Sequence, residues 1–144
     1  MLRYPMTHPP LLAALAATGH GSRVLIADAN YAHATNVRPG APVIYLNLRP
    51  GLVRVDDVLE LVHGAAPLEA VHTMTPDDGG EAPVAARYRE LLGPALPLQP
   101  MARLDFYAAC RGSDLAFAVA TGDDRLYANV LLTIGYITPS VSGT

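Results

Sequence analysis

Four places in the sequence carry side chains suited to polar chemistry. His20 lies in Gly19-His20-Gly21, where two glycines leave the backbone exposed and sharply bent. A histidine can titrate close to neutral pH and act as a general acid or base. Behind a helix it can equally cap the last carbonyls, and for an isolated histidine this plainer role is favoured. Asp28 closes the uncharged run Val24-Leu-Ile-Ala27. A carboxylate there can accept hydrogen bonds from ligand hydroxyls or fold back on its own turn. Arg103-Leu-Asp-Phe-Tyr107 sets a cation beside aromatic surface, and Tyr127-Ala-Asn129 spaces two polar side chains at period two in an apolar run. That spacing places both on one sheet face. Arginine, tyrosine and asparagine with aromatic surface suit an uncharged, hydroxyl-rich ligand such as a sugar. Each also has a structural alternative: Arg103 in a surface ion pair, Phe106 and Tyr107 in the core, Tyr127 and Asn129 bonding across strands.

Other chemistries lack their residues. The sequence has no glycine-rich dinucleotide fingerprint, P-loop, nucleophile elbow or HExxH zinc motif. It contains no lysine, which excludes Schiff-base chemistry on a protein lysine. His8, His20, His33, His63 and His72 have no zinc-ligand spacing, and the single Cys110 excludes an intramolecular disulfide. Proton transfer without cofactor or metal remains. A net charge of −3 provides no basic field for nucleic acid or an anionic membrane. The opening MLRYPMTHPP lacks an apolar signal core, and no apolar run nears the roughly 20 residues of a membrane span. A soluble, cytoplasmic chain is expected.

Positioning these residues falls to one domain, 1–144, since a compact domain holds about 100 to 200 residues. With 51% hydrophobic and only 16% charged residues, the chain is apolar for a small monomer, which points to burial between subunits. Pro9 to Gly19 reads as a short helix: paired prolines, LLAALAAT, then a glycine suited to a left-handed stop. Arg23 to Ala27 reads as a buried strand, followed by a turn-rich loop carrying His33 and Asn36 and a strand at Val43 to Leu48. Asp56 to His63, with acids first and histidine last, suits the helix dipole. Leu68 to Thr75 reads as a strand with imperfect alternation, and Pro83 to Leu92 as a helix stopped by Gly93. Pro94, Pro97 and Pro100 imply an extended connector, then a short strand at Met101 to Leu104 and a helical turn at Asp105 to Cys110. Leu115 to Thr121 and Leu126 to Ile134, split by Gly122-Asp-Asp-Arg125, read as an antiparallel hairpin. The class is α/β, a mixed sheet with helices on both faces.

Gly19-His20-Gly21, Val24-Leu-Ile-Ala-Asp28-Ala-Asn30, Arg103-Leu-Asp-Phe-Tyr107, Thr121-Gly122 and Tyr127-Ala-Asn129-Val-Leu-Leu132 occur in the order and spacing of a known family. The sequence resembles the D-ribose pyranase and L-fucose mutarotase family from about Leu11 to Ile137. The resemblance implies a three-layer α/β/α fold around a mixed sheet, assembled into rings, commonly decamers of two stacked pentamers, with sites between neighbouring subunits. It places the catalytic histidine on His20, the sugar-binding aspartate on Asp28 and the Tyr-x-Asn pair on Tyr127 and Asn129. Arg103 and Asp28-Ala-Asn-Tyr31 match the fucose branch. Ser22, Ala32 and Asp123 depart from common family residues, and the Ala128 of Tyr-Ala-Asn is more typical of the ribose branch. These leave the chemistry intact and put the sugar identity in question.

The implied reaction opens a cyclic hemiacetal and recloses it on the other face, which needs two proton transfers. His20 is the expected acid at opening, with Tyr127 or a held water as its counterpart. Asp28, Arg103, Tyr127 and Asn129 bind ring hydroxyls, with no cofactor. An apolar wall for a 6-deoxy sugar is sought among Tyr31, Phe106 and Tyr107. Competing expectations are pyranose–furanose conversion of ribose or another pentose, a non-catalytic sugar-binding ring, and an α/β oligomer whose histidine only caps a helix.

Overall fold

The computed structural model describes residues 1–140. Helix α1 (Pro9–Ala16) is followed by β1 (Arg23–Ala27), β2 (Val43–Tyr45), α2 (Val55–Ala65), β3 (Leu68–Thr75), α3 (Ala85–Leu92), β4 (Leu98–Ala102), α4 (Arg103–Cys110), β5 (Leu115–Ala120) and β6 (Val130–Ile134). The six strands form one sheet in the order β2-β5-β1-β6-β3-β4. Five run in one direction, and β6 alone opposes its neighbours β1 and β3.

Alternation along the strands divides the core between two faces. Val24, Ile26, Phe117, Val119 and Leu132 pack beneath α1, α2 and α3, while Leu25, Ala118 and Leu131 pack with Phe106 and Cys110 of α4 and with Tyr31. The fold is therefore a three-layer α/β/α sandwich about a mixed sheet. The expected strands at Arg23 to Ala27 and Leu68 to Thr75 are found with those bounds. Helix α3 ends as expected on Gly93, whose φ of 77° suits glycine.

Several expectations are corrected. Helix α1 stops at Ala16, before Gly19, and the left-handed residue in this turn is Gly21 (φ 83°). Strand β2 is three residues long and ends at Tyr45. Pro100 is no connector residue but belongs to β4, which it can do because an edge strand leaves its missing N–H unneeded. The helical turn at Asp105 is a full helix beginning at Arg103.

The hairpin is the largest correction. Strands β5 and β6 do not pair, because β1, buried on both faces, fills the space between them. Gly122-Asp-Asp-Arg125 is a bracket rather than a hairpin turn. A side chain at Gly122 would collide with the carbonyls of Arg49 and Leu52. Asp123 is fully buried, accepts from the Val55 N–H at the start of α2 (3.0 Å) and pairs with Arg125, which also reaches Asp56 (2.6 Å). Burial pushes the Asp123 carboxyl up, but the Arg125 contacts and the Val55 N–H bring it below the ordinary aspartate value.

Candidate functional site

The direction of β6 decides what meets what. Its first residues lie beside the carboxyl ends of β1 and β3, with Val130 opposite both Ile26 and Thr73. Asp28, the segment 127–129, Asp77 after β3 and Arg103 after β4 thus share one edge of the sheet.

Asp28 is buried there among backbone donors. Its Oδ1 accepts from Asn30 N–H (3.0 Å), its Oδ2 accepts from Ala128 N–H (3.2 Å), and its own N–H donates to Asn129 Oδ1 (2.8 Å). Burial raises the pKa of the Asp28 carboxyl, and the negative Asp123 adds to the rise, while the N–H groups of Asn30 and Ala128 oppose it. Asn129 Nδ2 approaches the Met74 thioether (3.8 Å). Tyr127 and Asn129 are not on a strand face as expected. Both precede β6, and Tyr127 holds a φ of 57°, a left-handed conformation uncommon for such a bulky residue and a mark of local constraint.

Asp77 ties two further residues to this edge. Its N–H donates to the Tyr127 hydroxyl (3.3 Å), and its Oδ1 accepts from Arg103 Nε (3.1 Å). The Arg103 guanidinium lies 5.8 Å from the centre of the Tyr107 ring, which meets Tyr31 edge-on at 5.4 Å. The expected apolar wall narrows to Tyr107. Phe106 is fully buried, and Tyr31 is a core residue whose hydroxyl donates to the Asn36 carbonyl (2.7 Å). His33, left without a role by the sequence, packs between Tyr31 and Tyr45 (5.4 and 6.3 Å), and burial lowers its pKa while the nearby Asp28 carbonyl opposes that shift.

His20 lies elsewhere. It precedes β1, whereas Asp28 follows it, and five strand residues rising about 3.3 Å each separate the two edges by about 17 Å or more. Gly21 N–H bonds to the Ile134 carbonyl (2.9 Å), tying this turn to the far end of β6. His20 Nε2 meets Glu69 Oε2 at 2.9 Å, and its ring lies 5.0 Å from that of Tyr136. It caps nothing on α1, where the Thr18 hydroxyl donates to the Leu15 carbonyl (2.7 Å). The ring is also four residues beyond the helix end, outside the reach of the terminal dipole. An open groove of about 350 Å³ beside it is lined by Ser22, Arg38 and Asp114.

The structure thus gathers Asp28, Arg103, Tyr127 and Asn129 and leaves His20 apart from them. Sequence reasoning missed Asp77 and Glu69. Asp77 sits in a loop rich in acids and glycine with no spacing signal, whereas Glu69, a lone acid in an apolar strand, was visible but unassigned.

A mixed sheet with ligand-type side chains at its carboxyl edge is an architecture that many α/β proteins share. Comparison with known proteins narrows it. Residues 1–137 match the family described as RbsD / FucU transport protein family, and the chain belongs to that family. It is similar to the fucose mutarotase of Danio rerio, with 34% identity covering 91% of this chain and 90% of that protein. Among solved structures it resembles the Streptococcus pneumoniae fucose mutarotase in complex with L-fucose, with a TM-score of 0.79 and 25% identity over 96% of this chain and all of that one. Bacillus subtilis RbsD complexed with D-ribose shares the fold, with a TM-score of 0.80 and 24% identity over 96% of this chain and all of that one. Among the described residues, no helix is long and apolar enough to cross a membrane.

Proposed function

We propose that the chain is a mutarotase for L-fucose or a closely related monosaccharide, with its site shared between two copies. It is an isomerase, and its class of reaction is sugar ring opening and reclosure. The observation that carries the reading is the separation of the two edges. Asp28, Arg103, Tyr127 and Asn129, side chains suited to hydroxyls, collect at one, and His20, suited to proton transfer, stands at the other. A head-to-tail neighbour brings them together without refolding. The two edges also expose different apolar surfaces, Leu104, Leu126, Tyr45 and Leu48 at one and Tyr136 and Ile137 at the other. Unlike patches that fit each other form heterologous contacts, which close into rings where the rotation between copies closes. A ring of five, stacked in pairs to a decamer, is the assembly proposed. The fucose mutarotase relatives and the cation of Arg103 over Tyr107 favour a 6-deoxy hexose, whose methyl group needs apolar surface.

In the reaction, His20 of one copy protonates the ring oxygen as the C1–O bond breaks. The anomeric hydroxyl passes its proton to a water, directly or through Tyr127, which takes that proton as its own phenolic proton moves on to the water, leaving the aldehyde. After rotation about C1–C2 the two protons return along the same paths, so the enzyme ends unchanged. Asp28, Arg103 and Asn129 hold the hydroxyls, which keeps the reacting oxygens in register.

Saturation-transfer NMR of L-fucose, D-ribose and D-galactose, with wild type and His20→Ala, tests the proposal. Acceleration of anomer exchange, greatest for L-fucose and about 100-fold to 10,000-fold weaker in the variant, is expected. Preference for D-ribose makes the chain a pyranase instead. Binding without acceleration makes it a sugar-binding ring.

A further inference from the structure

We infer that Glu69 is a positioning residue for His20, holding the imidazole with its proton on Nε2 so that Nδ1 is the nitrogen that exchanges a proton with the sugar. The inference rests on the mutarotase reading and adds to it the atom that reacts.

The backbone is built to aim this carboxylate. Leu68 is opposite Ile134 and Ala70 is opposite Thr133, so two steps on β3 face one on β6, and Glu69 is the extra residue of a β-bulge. Bulges re-aim a side chain that regular alternation would send elsewhere. Without the bulge, Glu69 would share a face with Val71, which is fully buried in the core under α1, α2 and α3. With it, Glu69 is exposed at the sheet edge and its Oε2 lies 2.9 Å from His20 Nε2. The Tyr136 ring, 5.0 Å away, flanks the imidazole on a second side, and Gly21 N–H, bonded to the Ile134 carbonyl, fixes the turn that carries it.

An ionised carboxylate only accepts hydrogen bonds, so Nε2 of the neutral ring carries the hydrogen and Nδ1 has the lone pair. Among the described residues the ring's hydrogen bond is at Nε2, and the side chain is exposed, which leaves Nδ1 open to a ligand. At ring opening, Nδ1–H of the imidazolium gives its proton to the sugar ring oxygen as C1–O breaks. The ring is left neutral in the tautomer that Glu69 holds, and Nδ1 recovers the proton on reclosure. The pair is half exposed in the single chain, 55% for the histidine side chain and 41% for the glutamate, where such contacts contribute little. A neighbouring copy seated on this edge excludes water and strengthens it.

The test uses the assembled full-length protein and its Glu69→Ala and Glu69→Gln variants. Anomer exchange of L-fucose is followed by NMR, together with the ¹⁵N shifts of His20 in alkaline buffer, where the two neutral tautomers give distinct patterns. The wild type is expected to show the Nε2–H form. Glu69→Ala is expected to lose that bias and to lower kcat by about 10-fold to 100-fold with KM within about twofold, as when an orienting carboxylate is removed from a working histidine. Glu69→Gln still presents an acceptor oxygen, and it is expected to keep the tautomer and recover part of kcat. It also serves if the alanine variant fails to assemble. Should an active wild type lose neither kcat nor its ¹⁵N pattern in Glu69→Ala, the inference is overturned. A wild type that accelerates no sugar overturns the mutarotase reading itself, and this positioning role with it.

Discussion

The two edges of the sheet are built in different ways. At the carboxyl edge, Asp28 is closed in by three backbone-anchored hydrogen bonds, and Asp77 fastens both Tyr127 and Arg103. At the opposite edge, His20 has one polar partner among the described residues and stands half in solvent. Dense internal bonding preorganises a surface for binding, whereas a group that must gain and lose a proton needs an open nitrogen. The contrast teaches that the polar residues of the carboxyl edge and His20 are separate groups in the single chain, and on the proposed reading binding and proton transfer meet only where two copies do.

The largest expected effect would separate them directly. His20→Ala should lower kcat by about 100-fold to 10,000-fold while leaving L-fucose binding, measured by calorimetry, close to that of the wild type. Loss of binding in proportion to kcat would erase the distinction between the edges. Next in size is the bracket beneath the carboxyl edge. Asp123→Ala leaves the Val55 N–H unpartnered and half of the Arg125 pairing broken, and it should destabilise the fold by about 3 kcal/mol in urea unfolding. The native Asp123 pKa lies below the unfolded value. Its contribution is therefore present above the ordinary aspartate value of 3.8 and lost as pH falls through the depressed one. Asp123→Asn should remove that part of the pH dependence of stability. The smallest effect is expected at Arg103→Lys, which keeps the charge but loses the planar fork, raising KM about tenfold with a lesser change in kcat. An equal fall in kcat alone would move Arg103 from holding the sugar to stabilising its transition state.

Much of this was legible from the sequence, and what was not has particular causes. The strands at Arg23 and Leu68 could be read because continuous apolar runs bounded by turns are local signals. Their imperfect alternation at Leu68 is the mark of the bulge at Glu69. The β5–β6 hairpin was misread because nothing local to Gly122-Asp-Asp-Arg125 reports that β1, about 95 residues away in the chain, lies between the two strands. The period-two spacing of Tyr127 and Asn129 suggests a strand face, yet both precede β6. The left-handed Tyr127 is held by its tertiary surroundings against the local preference of a bulky aromatic. His20 was picked for its glycine-flanked turn, yet its partner proved to be a carboxylate 49 residues along rather than the end of α1.

The proposed sharing of a site between copies is tested most directly by mixing two variants, each expected to be inactive. His20→Ala and Asp28→Ala, co-expressed with different affinity tags and isolated as mixed rings, each retain what the other lacks. If His20 of one copy serves Asp28 of the next, random one-to-one rings rebuild an intact site at about a quarter of their interfaces and should recover up to that share of wild-type anomer exchange. Mixed rings no more active than the two variants apart would contradict a site shared between neighbours.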